Sequence, residues 1–140
     1  MNYTRLQKRL SLDEGVRAKP YRCTAGKLTI GIGRNLDDRG LSEQEIKYLF
    51  LNDVTLSVEE CRRLLPTFNS LSDVRQEVLV NMMFNLGYSR LSQFKKFLAA
   101  IGREDWSDAA VQMLDSKWAT QVVARATRLA TAMRTGAFDE

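Results

Sequence analysis

Glu14-Gly15-Val16-Arg17-Ala18-Lys19-Pro20-Tyr21-Arg22-Cys23-Thr24-Ala25-Gly26-Lys27-Leu28-Thr29-Ile30-Gly31-Ile32-Gly33 is where the periodicity of this chain changes. Before it, residues 2–12 read as a helix, with Asn2 as cap and Tyr3, Leu6 and Leu10 as an apolar stripe. Gly15 is a natural C-terminal stop, which puts Glu14 at or just past the helix end. Pro20 makes further helix unfavourable. From Tyr21 to Ile32 the period is two, and Thr24-Ala25-Gly26-Lys27 is a turn candidate between short strands. In the second strand Leu28, Ile30 and Ile32 share one face, and Thr29, Gly31 and Gly33 share the other. The first face wants a core. The second has almost no bulk, so a ligand or another backbone can approach it, although an edge strand with glycine bends has the same pattern.

Downstream the chain is helical. Ser42 and Glu45 form a capping box. Ile46, Phe50, Val54, Val58, Cys61 and Leu65 then repeat at helical spacing until Pro66, predicting one helix of about 23 residues, roughly 35 Å long. Ser72 caps the next helix, in which Val78 to Leu86 is apolar nearly all round and is expected to be central and buried. Gly87 ends it. Ser92 starts a short helix through Phe94, Phe97, Leu98 and Ile101. Trp106 to Trp118 and Val122 to Met133 are further helices, the last closed by Thr135-Gly136. The expected architecture is α+β and mostly helical. Residues 13–41 form a small α/β lobe with a β-hairpin, 42–65 a connecting helix, and 1–12 with 66–140 a helical lobe, all within a single domain over 1–140. A cleft between the lobes is the expected ligand site.

Composition narrows the chemistry. In 140 residues there are 21 basic and 17 acidic side chains, a net charge of +4, which suits a negatively charged partner such as nucleic acid, anionic membrane or cell wall, or serves solubility alone. No run approaches the length of a membrane span, so no stable membrane insertion is expected. Met1-Asn2-Tyr3-Thr4-Arg5-Leu6 lacks the apolar core of a signal peptide, so export is expected to depend on something else. The two cysteines, Cys23 and Cys61, are too few for a disulfide framework and read as thiols. There is no histidine, which removes the usual general base and the commonest metal ligand. Acid–base work falls to carboxylates, a thiol or a phenol, and neither metal nor cofactor is expected.

Glu14 is the first candidate for that work. A carboxyl beside a cleft, kept protonated by partial burial, is what glycoside hydrolysis needs to protonate its leaving oxygen. A solvated surface charge is the plainer reading of the same residue. Cys23, at the start of the turn and next to Arg22, could be a partly exposed thiol whose thiolate a nearby cation favours, or a small half-buried residue. Thr29 offers a hydroxyl that can hold a water, or is an ordinary strand threonine. Arg125 and Arg128 lie three apart on the last helix, and Gln121, one turn before Arg125, shares their side. They form a surface stripe, or they orient acidic groups such as Asp13 and Glu14. Asn81, polar within an apolar helix, needs a partner and reads as structural. Trp106, Trp118, Phe84 and Phe94 read as core, with sugar stacking as the sharper reading for one of them.

Taken together, the spacing Glu14, eight residues, Cys23, five residues, Thr29 resembles the Glu–(Asp or Cys)–Thr signature of phage lysozymes of the T-even type, glycoside hydrolase family 24. Asp13-Glu14-Gly15 and Thr29-Ile30-Gly31-Ile32-Gly33 resemble that family's flanking blocks. Leu41 to Val54 is similar to the start of its interdomain helix, and Asn81-Met82-Met83-Phe84-Asn85-Leu86-Gly87 to its central helix. Trp106-Ser107-Asp108-Ala109-Ala110, Ser116-Lys117-Trp118, Gln121, Arg125-Ala126, Arg128 and Arg134-Thr135-Gly136 resemble its C-terminal lobe, so the likeness covers nearly the whole chain.

The resemblance implies an endolysin-type muramidase that cleaves the β-1,4 bond between N-acetylmuramic acid and N-acetylglucosamine in peptidoglycan and lyses bacteria. It implies Glu14 as general acid, Cys23 at the second catalytic position and Thr29 helping to place the attacking water. Asp13, Arg125 and Arg128 fall on the ion-pair cluster holding the acid, and Phe84 and Asn85 on cleft-lining positions, with Gln121 as support. The partner is the peptidoglycan glycan strand, with no nucleic acid, and the enzyme is a monomer. It is expected to wait in the host cytoplasm until a separate membrane-permeabilising protein releases it to the cell wall. Three departures stand out: Cys23 where many members have aspartate, Arg34 where a histidine follows the second glycine, and a short stretch between Gly33 and Leu41. A peptidoglycan-binding relative that has lost catalysis, with Cys23 as the lesion, is the alternative. A basic nucleic-acid binder is the third reading, disfavoured because the basic residues are scattered among acids.

Overall fold

The structure, a computed structural model, describes residues Met1–Asp139 as an α+β protein with eight α-helices and one three-stranded sheet among the described residues. It divides into two compact units, Met1–Leu49 and the chain from Phe50 onward.

The first unit opens with α1 (Tyr3–Glu14). Asn2 caps it, its Oδ1 accepting the Arg5 N–H at 2.9 Å. Gly15, with φ of 81°, ends it, two residues later than the apolar stripe predicts. The extra residues are Asp13 and Glu14, both acidic and in a last turn with no basic residue. Carboxylates at the negative end of a helix dipole do not stabilise the helix, so helix formation does not explain their place.

The sheet follows as β1 (Arg17–Arg22), β2 (Leu28–Gly31) and β3 (Arg34–Asn35), all antiparallel in the order β1-β2-β3. The expected hairpin therefore gains a third strand. Its source is the stretch after Gly33, which folds back so that the Leu36 N–H reaches the Leu28 carbonyl at 2.7 Å. The expected core face of β2 is not the most buried one: Leu28 and Ile30 are only partly buried and Ile32, beyond the strand, is exposed, whereas Thr29 is only 4% exposed. No apolar side chain of this unit is fully buried. Polar contacts hold it instead. Arg34 grips both carboxylate oxygens of Glu45, and the Ser42–Glu45 capping box forms as predicted, with Ser42 N–H to Glu45 Oε1 at 2.9 Å and Glu45 N–H to Ser42 Oγ at 3.2 Å.

Helix α2 (Glu43–Leu64) contributes to both units, and Pro66 follows its end. The second unit continues with a short 3₁₀ turn, Phe68–Ser70, then α3 (Asp73–Leu86), α4 (Tyr88–Leu91), α5 (Lys95–Gly102), α6 (Trp106–Leu114), α7 (Lys117–Gln121) and α8 (Val123–Thr135). Its core is built from Leu79, Met82, Leu91, Phe97, Ile101, Met113 and Met133, all essentially without solvent contact. Burying each such side chain contributes about 1.5–3 kcal/mol. Arg75 closes the far end of α8: its Nε donates to the Met133 carbonyl at 2.8 Å, and its guanidinium carbon lies 4.1 Å from the Trp106 ring centroid. Burial there lowers the Arg75 pKa.

The Arg34 guanidinium and the Ser42 backbone hold the Glu45 carboxyl at about 2 instead of its ordinary 4.5. A depressed carboxylate pKa gives stability that is complete above the unfolded value and is lost as pH falls through the folded one. Glu45 should therefore titrate near 2 in a carboxyl-detected NMR titration. Urea midpoints measured between pH 6 and pH 2 should fall more in the native protein than in Glu45→Gln.

Candidate active site

Cys23 closes β1 at the mouth of a tight turn. Its N–H donates to the Lys27 carbonyl at 2.9 Å, and the Gly26 N–H returns to the Cys23 carbonyl at 2.8 Å. The thiol is half-exposed, and its pKa is lowered chiefly by the backbone N–H groups of Lys27 and Ala25. The cation expected to do this, Arg22, is turned elsewhere: its Nη1 donates to the Gly26 carbonyl at 3.1 Å and faces Asp37 Oδ2 at 3.5 Å. A guanidinium one residue away along a strand points to the opposite face, so sequence adjacency misattributes the cause. Cys61 is the contrasting thiol, buried and pushed up to about 12 by desolvation.

Thr29 pairs with Tyr21 across β1 and with Asn35 across β3. Its Oγ1 donates to the Lys27 carbonyl at 2.9 Å, which leaves the oxygen lone pairs for a further partner. Glu14 meets the same sheet at Gly33. A Cβ built on Gly33 would lie 2.8 Å from Glu14 Oε2, and Gly33 has φ of 71°. The bare face of the strand register is thus approached by the chain's own carboxyl. Glu14 is exposed, not partly buried as the sequence suggests. Asp13 precedes it in the last turn of α1.

The remaining candidates belong to the second unit. Phe84, Asn85 and Arg125 line one groove of about 790 Å³, together with Phe50, Val54 and Val58 of α2 and Val80 and Asn81 of α3. Arg125 and Arg128 share a second cavity of about 540 Å³ with Asn81 and Phe138. Two expectations are corrected here. Helix α3 is not buried all round: Asn81, Phe84 and Asn85 are exposed on the face towards the groove, and Phe84, read as core, is 47% exposed. Spacing of three and four residues along that face carries the signal, but near-uniform hydropathy hides it. Gln121 does not share a helix with Arg125, because Val122, at φ −131° and ψ 59°, breaks α7 from α8. Its Oε1 instead accepts from Arg90 Nη2 at 3.4 Å. Asn85 has a partner no spacing reveals: its Oδ1 accepts the indole N–H of buried Trp118 at 2.7 Å. Among the described residues no group of three or more His, Cys, Asp or Glu side chains could hold a metal ion, and no helix is long and apolar enough to cross a membrane.

The amino-acid sequence has matches among known proteins. The phage lysozyme family model matches residues 12–131, and the chain belongs to that family. It is a lysozyme-like glycoside hydrolase. The chain is 30% identical to Probable T4-type lysozyme 2 of Dictyostelium discoideum, over 96% of each chain. It is 28% identical to Probable T4-type lysozyme 1 of the same organism, over 93% of this chain and 94% of the relative. A third match, the Pre-baseplate central spike protein Gp5 of Enterobacteria phage T4, is 28% identical over 91% of this chain but 27% of its own length.

Two substitutions test this geometry. Gly33→Ala adds a Cβ both against Glu14 and at positive φ, and is expected to cost at least about 1 kcal/mol in urea denaturation. Asn85→Ala leaves the buried Trp118 N–H without a partner and is expected to cost about 1–3 kcal/mol, with a changed tryptophan emission.

Proposed function

We propose that this protein is a muramidase that hydrolyses the β-1,4 bond between N-acetylmuramic acid and N-acetylglucosamine in peptidoglycan and so lyses bacteria. The observation that carries the reading is the match of residues 12–131 to the phage lysozyme family, supported by Thr29 on β2, Cys23 at the end of β1 and Glu14 against Gly33. Glu14 gives its proton to the glycosidic oxygen as the bond opens. Cys23 is the second catalytic group. Its backbone donors favour the thiolate, which either takes a proton from water or attacks the sugar carbon itself. Thr29, its own proton committed to the Lys27 carbonyl, accepts from the water and turns a lone pair of that water towards the sugar.

The net charge of +4 favours approach to an anionic wall. The protein is released from the cytoplasm by a separate membrane-permeabilising protein and acts as an endolysin, as a monomer.

Turbidity loss of chloroform-treated Gram-negative cells, with sugar release from purified sacculi, tests the reading. Glu14→Gln should lose about 10²–10⁴-fold in rate with little change in stability, since Glu14 is exposed. Cys23→Asp should remain active when a thiol-blocking reagent stops the native enzyme. Pelleting of the native protein with sacculi, without release of reducing ends, would replace the muramidase with a wall-binding relative.

A further inference from the structure

The short stretch after Gly33 does more than add a strand. Asp37 Oδ2 accepts the Leu28 N–H at 2.7 Å and faces Arg22 Nη1 at 3.5 Å. Arg22 and Leu28 are cross-strand partners, the last pair before the Cys23–Lys27 turn. Arg22 in turn holds the Gly26 carbonyl at 3.1 Å, inside the turn itself. One carboxylate therefore ties both arms of the hairpin at the point where the turn begins. Beside it, Asp38 binds Lys27 Nζ at 3.1 Å and Asn35 Nδ2 at 2.9 Å.

We propose that Asp37 is a positioning residue for Cys23: by accepting the Leu28 N–H and facing Arg22, it fixes the turn in which the Cys23 N–H meets the Lys27 carbonyl and the Cys23 carbonyl meets the Gly26 N–H. The inference rests on the catalytic role proposed for Cys23, but its structural half stands apart from it. The need for such a device follows from the lack of a buried apolar side chain in this unit. A five-residue turn without a core beneath it is held by its hydrogen bonds. Among described residues, the charged groups around the turn are Arg22, Lys27, Asp37 and Asp38. Replacing Asp37 alters the charge as well as the hydrogen bond, so two variants are needed. Asp37→Ala removes both, whereas Asp37→Asn removes the charge and keeps an oxygen that accepts from Leu28.

The experiment is iodoacetamide alkylation of the folded protein across pH, with each cysteine followed by mass spectrometry and lysis measured in parallel. Cys61, buried and held at about 12, reports unfolding. In Asp37→Ala the Cys23 alkylation profile should move to higher pH, with Cys61 protected and lysis slowed about tenfold or more. Asp37→Asn should restore the native profile and most of the rate. An Asp37→Ala profile equal to native overturns the proposal. So does an Asp37→Asn profile as displaced as that of Asp37→Ala, which remains the deciding comparison where the alanine variant exposes Cys61. If the native protein does not lyse cells but the alkylation pattern is as stated, the muramidase reading fails and the positioning role stands.

Discussion

Strand β2 is bonded on both edges, and the first unit depends on that pairing. Four residues, Leu28–Gly31, meet β1 on one side and β3 on the other. Backbone groups out of water have to be paired, and here each neighbour supplies part of the pairing, with Asp37 finishing the ladder where no strand continues. Because side chains alternate along a strand, fixing the register of β2 fixes which residue faces inward. Thr29 is placed inside by that register, beside the Cys23 thiol. Gly33, just past the strand, leaves room for Glu14.

The two units are stabilised in different ways. The helical unit has a continuous apolar core, and its polar contacts adjust the ends of helices: Arg75 on the last carbonyls of α8, and Gln76 Nε2 on the Phe68 carbonyl at 3.0 Å. The first unit relies on sheet pairing and charged clasps such as Arg34–Glu45 and Lys27–Asp38. Exposed ion pairs are worth little singly, about 0–1 kcal/mol, but several that share one loop order it together. A turn held this way responds to acid and to single substitutions more readily than one resting on a packed core.

Much of this was legible in residue order. Asn2, Ser42 with Glu45, Ser72 and Gly87 mark helix ends because capping is local, set within three or four residues of the cap. The turn between Cys23 and Lys27 was legible for the same reason. The third strand was not, because Arg34-Asn35 has no hydrophobic alternation and becomes a strand only by pairing with β2. Nor were the open face of α3 and the split between α7 and α8. An apolar run does not say which of its sides a neighbour covers, and Val122 gives no composition signal of a break. The joint spacing of Glu14, Cys23 and Thr29 was legible only as a family pattern, since each residue alone has an ordinary reading.

Sequence alone determined the capped helix ends at Asn2, Ser42, Ser72 and Gly87, the turn, the absence of histidine and hence the kind of acid–base chemistry open to this protein. Those are properties of residue type and short-range spacing. Tertiary structure decided what surrounds each candidate group: the Gly26 and Lys27 backbone at Cys23 with Arg22 turned to Asp37, the Lys27 carbonyl at Thr29, and an open Gly33 under Glu14. The reason is physical. A hydrogen bond or a close approach acts over about 3 Å in space, and folding brings to that distance atoms whose separation along the chain carries no sign of it.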